Sequence, residues 1–343
     1  MESQNRQIAM VFDLNKCIGC QTCSVACKVL WSRDEGTDYH WWCTVNTIPG
    51  KGSPKDWEKM GGGYDKGQLI LGHVPEKEEY GGGWDFNYNE VFYGEADSRK
   101  PLRVVGEQPT WGPNWDEDQG GGQYPNSFYY YLPRLCNHCT HPACVEACPS
   151  GAMSKREQDG IVIRDDDKCQ GKRQCAAACP YKKIYFNYEK GISQHCIMCY
   201  PRLEDGVAPA CARQCPGRLV FVGYLDDENG PIHKLVNQWK VAVPLHPEYG
   251  TQPNIFYVPP IAPKPINEDG SINEDQNRIP AALLEEQFGP DVHQALATLQ
   301  AEMKKTKEGG QSDLMDMLIA YDWKELFSEF TVDPVDIEQA GQE

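Results

Sequence analysis

No stretch of the chain reaches 18 consecutive apolar residues, so no membrane-spanning helix is expected. Basic charge is in deficit: 33 Lys and Arg face 50 Asp and Glu. The resulting net charge of −17 repels polyanions and argues against nucleic acid as a partner. The first ten residues lack a basic n-region, an apolar core and a twin arginine. Any membrane association is therefore expected to come through a partner subunit. Catalytic signatures are missing as well, with no Walker loop, no G-x-G-x-x-G after a strand and no nucleophile elbow. The haem-attachment pattern C-x-x-C-H is approached only at Cys136 and Cys139, where Thr140 stands in the histidine's place.

Against these absences stand sixteen cysteines in 343 residues. A chain of this length buries a real core, so they are not needed as staples for a miniature fold. Disulfides are disfavoured because neighbours such as Cys17, Cys20, Cys23 and Cys27 are too close to pair easily. Zinc sites usually take two close pairs separated by a longer loop. Iron–sulfur clusters suit the spacing better.

The cysteines form a degenerate internal repeat of four motifs: Cys17, Cys20, Cys23 and Cys27; Cys136, Cys139, Cys144 and Cys148; Cys169, Cys175 and Cys179; Cys196, Cys199, Cys211 and Cys215. Pro follows Cys148, Cys179 and Cys215, whereas Lys28 follows Cys27. Short β-like runs precede several motifs, at residues 9–12, 161–163 and 184–186, and a helix-compatible stretch over 21–27 carries the last thiols of the first. Residues 28–135 form a Gly-, Trp- and Tyr-rich insert with Gly triplets at 61–63, 81–83 and 120–122. Its aromatics, Trp41, Trp42, Trp84, Trp111 and Trp115 among them, read as packing and interface residues. Two amphipathic helices are expected over 279–304 and 312–329, followed by a frayed acidic tail.

A cubane cluster needs a thiolate on each iron. In the pattern C-x2-C-x2-C-x3-C-P, three thiols come from one loop and the fourth, on the following helix, ligates the other cluster of a pair. Four motifs then make two pairs. The short interval between Cys148 and Cys169 pairs the second motif with the third and leaves the first with the fourth. The expected sets are Cys17, Cys20, Cys23 and Cys215; Cys27, Cys196, Cys199 and Cys211; Cys136, Cys139, Cys144 and Cys179, each for a [4Fe–4S] cluster. The last set, Cys148, Cys169 and Cys175, is one thiol short because Lys172 stands where the middle cysteine belongs. A protonated lysine is a poor iron ligand, so a [3Fe–4S] cluster is expected there, the alternative being a four-iron cluster with a non-cysteine ligand. Lys172 is also a candidate for raising that cluster's potential, or else an ordinary solvated side chain. Cys43, outside the motifs, reads as a buried structural thiol. His138 is a candidate N–H donor to its cluster, with packing as the other reading.

The fold expected is α+β: two interleaved bacterial-type double-cluster ferredoxin units. Residues 1–27 and 184–225 make the outer unit and 136–183 the inner one, with the loop-rich insert at 28–135 and a helical C-terminal extension at 226–343. Such a chain carries electrons and does no substrate chemistry. A catalytic three-iron site and an oxidant sensor are the competing classes, and neither has a supporting constellation.

With four ferredoxin motifs, a cysteine missing from the third, and residues 179–186 and 196–202 as they stand, the sequence resembles the iron–sulfur β-subunits of nitrate reductase/DMSO reductase-type molybdoenzymes. Members of that family typically place tryptophan where this chain has Lys172. Residues 13–23 and 114–119 are similar to the subgroup of ethylbenzene, dimethyl sulfide and steroid C25 dehydrogenases and of perchlorate and selenate reductases, ethylbenzene dehydrogenase first among them. The resemblance covers residues 7–260 and implies a catalytic α-subunit with molybdenum bis-guanine-dinucleotide and a haem b γ-subunit. It further implies location in the periplasm, reached on the partner's twin-arginine signal, or in the cytoplasm where the partner lacks one.

Overall fold

A computed structural model describes residues 6–81, 85–95, 100–105 and 120–334. Trp84, Trp111, Trp115, the run at 114–119 and the acidic tail from 335 onward lie outside the described residues, as does part of the second Gly triplet.

The centre of the molecule is a four-stranded sheet. Its first strand, β1 (Ile8–Asp13), is buried along its whole length, as befits an almost uninterrupted apolar run. On one side β1 pairs antiparallel with Val220–Tyr224, Ile8 opposite Tyr224 and Phe12 opposite Val220. On the other it pairs parallel with Ile255–Val258, which in turn pairs with Val243–Pro244. This pairing brings the loop after β1, with Cys17, Cys20 and Cys23, beside the chain around Cys215. Around the sheet lie two hairpins, Met153–Lys155 with Val162–Arg164 and Ile184–Asn187 with Ile192–His195. They join the second motif to the third and the third to the fourth. Helix α1 (Thr22–Trp31) follows the first loop, and short helices at Ala143–Glu146, Gln174–Ala178, Tyr200–Glu204 and Ala210–Arg213 accompany the others.

The insert leaves and returns through one ladder, Thr44–Ile48 against Tyr130–Arg134. Between these strands it lies over the third motif: the Gly63 and Gly72 amides donate to the carbonyls of Ala178 and Ala177, at 2.8 and 2.9 Å. At Gly62 (φ 112°) a Cβ would stand 2.9 Å from the Ala178 carbonyl oxygen, so only glycine lets the backbones approach this closely.

The C-terminal region is helical, with boundaries that differ from the expected ones. The helix expected over 279–304 is two, Ala281–Phe288 and Val292–Lys307. Gly289 ends the first at φ 74°, and Pro290 cannot supply the N–H that would continue it. The next helix, Asp313–Ile319, stops where Ala320 turns left-handed (φ 56°), and only a 3₁₀ turn at Trp323–Leu326 follows. Leu284, Phe288, Ala295, Leu299, Leu314 and Leu318 dock these helices on the core. No described helix is long and apolar enough to cross a membrane.

Candidate cluster sites

The four cysteine loops share a backbone signature. Left-handed residues recur at Gly19 and Gln21 (φ 66° and 59°), His138 (42°), Gly171 and Arg173 (66° and 57°), and Met198 and Cys199 (54° and 51°). In the first and third loops the left-handed residues stand two apart, an arrangement that turns successive amide N–H groups to one side and makes a concave nest for an anionic group. The third loop keeps this form even though Lys172 replaces a cysteine. Side chains other than glycine are strained in this region, and such strain collects at functional sites.

The thiols gather in four groups. Cys17, Cys20, Cys23 and Cys215 line one hollow. Cys136, Cys139, Cys144 and Cys179 line a second, together with His195, Thr251 and Lys183. Cys148, Cys169 and Cys175 line a third, with Lys172 and Arg164 on its wall. Cys27, Cys196, Cys199 and Cys211 lie close enough to disfavour one another's ionisation. Among the described residues, no three His, Cys, Asp or Glu converge on a point that suits a single metal ion. What three of the groups enclose is a space, not a point.

These thiols are poor acids when bare. Burial pushes Cys17, Cys139 and Cys196 up to about 12, and Cys27, Cys136, Cys144 and Cys211 well above the ordinary thiol range, with neighbouring thiols adding to the effect. A metal must displace these protons, so its binding is linked to proton release. Polar groups are already aimed at several sulfurs. The Met198 amide donates to Cys196 Sγ at 3.4 Å, and backbone amides of Gly217 and Leu219 serve Cys215. The Thr251 hydroxyl serves Cys139 and the Ser193 hydroxyl Cys175.

The surroundings are built for negative charge. Lys182, Lys183 and Arg134 are each 1 % exposed. Lys182 donates to the Ala177 carbonyl, while Arg134 donates to Asn46, Ser53 and Tyr181 oxygens and stacks 3.5 Å from the Trp57 ring. Arg134 has Glu58 as its charged neighbour, whereas Lys182 and Lys183 meet only neutral oxygens and need anions nearby, with thiols the groups in reach. His138 accepts from the Val162 amide at Nδ1, 3.1 Å, so a neutral ring carries its proton on Nε2, and that buried atom has no partner. Its ring centre lies 6.4 Å from that of His195, on the wall of the second hollow. Soft thiols around hollows, amides directed at sulfur and buried cations together fit iron–sulfur clusters. Bound there, a cluster supplies a one-electron carrier.

Two contacts escaped the sequence reading. Trp31 Nε1 donates to Cys199 Sγ at 3.0 Å. Cys43, a core residue at 1 % exposure, directs its thiol proton at the Cys23 sulfur, which holds Cys23 below the ordinary thiol range. Helical spacing places Trp31 one turn past Cys27, which was the available signal. Nothing local marks Cys43.

Residues 127–225, which carry the thiols from Cys136 to Cys215, match the 4Fe-4S dicluster domain family. The chain is 55% identical over 326 residues to the selenate reductase subunit beta of Thauera selenatis, spanning 94% of this chain and 98% of that protein. It is 56% identical over 328 residues to the chlorate reductase subunit beta of Ideonella dechloratans, again 94% and 98%. To the dimethylsulfide dehydrogenase subunit beta of Rhodovulum sulfidophilum it is 52% identical over 323 residues, with the same coverage.

Proposed function

Because this chain belongs to the iron–sulfur β-subunits of nitrate reductase-type molybdoenzymes, with a ferredoxin-like dicluster domain among mixed helices and strands, we propose that it relays electrons through three [4Fe–4S] clusters and one [3Fe–4S] cluster. The chain is an electron-transfer subunit and the chemistry lies with its partner. On this reading Cys17, Cys20, Cys23 and Cys215 hold the first cluster, and Cys27, Cys196, Cys199 and Cys211 the second. Cys136, Cys139, Cys144 and Cys179 hold the third, and Cys148, Cys169 and Cys175 the three-iron fourth. The outer and inner ferredoxin units are thereby interleaved. The observation that carries the reading is the crossover: the last thiol of each motif stands with the earlier thiols of another, Cys215 beside Cys17 and Cys179 beside Cys136.

The order of the relay follows from neighbouring thiols. Cys211 feels Cys23, Cys136 feels Cys196, and Cys144 feels Cys175. The four sites therefore run first, second, third, fourth. One end meets a molybdenum bis-guanine-dinucleotide α-subunit and the other a haem b γ-subunit, in a complex exported to the periplasm on the partner's twin-arginine signal. Ethylbenzene dehydrogenase and its relatives are the candidate complexes. The substrate is chosen in the partner, since relatives named for selenate, chlorate and dimethylsulfide are almost equally similar to this chain.

Iron and acid-labile sulfide analysis of anaerobically purified protein tests the reading. About fifteen irons per chain are expected, with the paramagnetic signal of a three-iron centre in the oxidised state. Zinc or disulfides in their place refute it.

A further inference from the structure

Lys183 lies four residues past Cys179, just before the strand Ile184–Asn187. An ammonium this deeply buried costs several kcal/mol unless counter-charge and hydrogen bonds meet it. Its Nζ donates to the Trp41 carbonyl at 3.0 Å, the Thr44 hydroxyl at 3.2 Å and the Tyr185 hydroxyl at 3.0 Å. Tyr185 spends its own proton on the Trp41 carbonyl, so its oxygen is left to accept. Three acceptors match the three N–H groups of an ammonium, whereas a neutral amine would bring a lone pair to a place that offers oxygens. None of the three partners is a carboxylate.

The negative charge must come from sulfur. Burial and the neighbouring Arg134 pull the Lys183 ammonium down to about 7, and negative charge on sulfur is what opposes them: on one side the thiols that bear on it are Cys43 and, from the second group, Cys27 and Cys196. On the other, Lys183 forms part of the wall of the hollow ringed by Cys136, Cys139, Cys144 and Cys179, the third group. The other two buried cations are differently engaged. Arg134 lies against Trp57, and Lys182 closes the carbonyl end of the helix Gln174–Ala178. Lys183 alone of the three faces both middle sites.

We propose that Lys183 is a fixed positive charge held between the second and third clusters, and that it raises the reduction potential of both. The inference rests on the ligand sets proposed above. A cation equidistant in role between two carriers stabilises the reduced form of each. An electron then crosses the middle of the relay without meeting a step that burial alone would have made steep. Lys183 acts on the clusters through space and is a positioning charge, not a ligand.

The test is potentiometric titration monitored by electron paramagnetic resonance on the holo-complex, comparing wild type with Lys183→Met and Lys183→Arg. Methionine keeps the length and apolar stem and removes the charge. The expected result is that two of the four midpoint potentials fall in Lys183→Met while the other two hold, and that Lys183→Arg restores them. Four wild-type midpoints in Lys183→Met overturn the proposal, as does an equal shift of all four. Should Lys183→Met assemble without its middle clusters, Lys183→Arg decides: four clusters retained support the charge, and their loss shows a packing role and refutes it. Iron content of the wild type tests the ligand sets separately, so the two failures are distinguishable.

Discussion

Replacing Trp31 by phenylalanine keeps an aromatic ring on α1 and deletes a single donor, the Nε1–H that points at Cys199 Sγ from 3.0 Å. A hydrogen bond to a charged acceptor contributes about 1.5–3 kcal/mol. Only the part that differs between the oxidised and reduced cluster moves a potential. Reduction adds one electron spread over the sulfurs of the cube, so one thiolate gains a minor share of it. Taking roughly a third of the bond's energy as redox-sensitive leaves about 0.5–1 kcal/mol. At about 2.3 kcal/mol per 100 mV for one charge, that becomes a fall of about 20–40 mV in the midpoint of the second cluster. The direction is downward because the donor favours the more negative state. Potentiometric titration followed by electron paramagnetic resonance reads this shift, with the other three centres as internal references. A rise, or a change under about 10 mV in protein with its full iron content, refutes the geometry from which the estimate was built.

Three further outcomes are expected. Lys172→Cys supplies the thiol that the third motif lacks, on a backbone that repeats the first motif at Gly171 and Arg173. It should add about one iron per chain, abolish the three-iron signal of the oxidised protein and lower that centre's potential, whereas an unchanged oxidised spectrum counts against the fourth site. Cys43→Ala removes the thiol proton directed at Cys23. The first cluster's midpoint should fall by less than in Trp31→Phe, S–H being the weaker donor, while Cys43→Ser leaves it near wild type; equal values in all three proteins contradict the contact. His40 is buried, and burial holds its ring at about 4 against an unfolded value near 6.5. Between these values the unfolded chain binds the extra proton, so stability rises with pH across that window. Chemical denaturation should show about 2 kcal/mol lost for this group between pH 7 and pH 5, and His40→Gln should flatten the profile; a slope that survives the substitution assigns it elsewhere.

The local elements were legible where the sequence itself carries the constraint. The runs at 9–12, 161–163 and 184–186 fall within or across strands because each is apolar and short, and the stretch at 21–27 opens α1. What could not be read is long-range. Nothing in Ile255–Val258 announces that it lies parallel to β1, and nothing in Thr44–Ile48 names Tyr130–Arg134 as its partner. The helix break at Gly289 and Pro290 was written in the sequence, yet the apolar spacing on either side of it suggested one helix. At the sites, spacing reveals thiols that share a loop. The donors from Trp31 and Cys43, and the lysine between two groups, arise only when segments remote in sequence pack together.

That remoteness has a consequence for how such a relay is built. The first site takes three thiols from the loop after β1 and one from Cys215, and the strands that carry these segments are the antiparallel neighbours Ile8–Asp13 and Val220–Tyr224. On the proposed ligand sets, closing the sheet and completing the cluster are one linked equilibrium: the sheet brings Cys215 into reach, and iron on four thiolates holds the two strands in register. The second site does the same for α1, whose Cys27 stands with Cys196, Cys199 and Cys211. Clusters bound only by contiguous loops could be lost one at a time without loosening the fold. Clusters stitched across it fix the distances and the buried charges on which electron transfer depends, and they tie both to the integrity of the whole core.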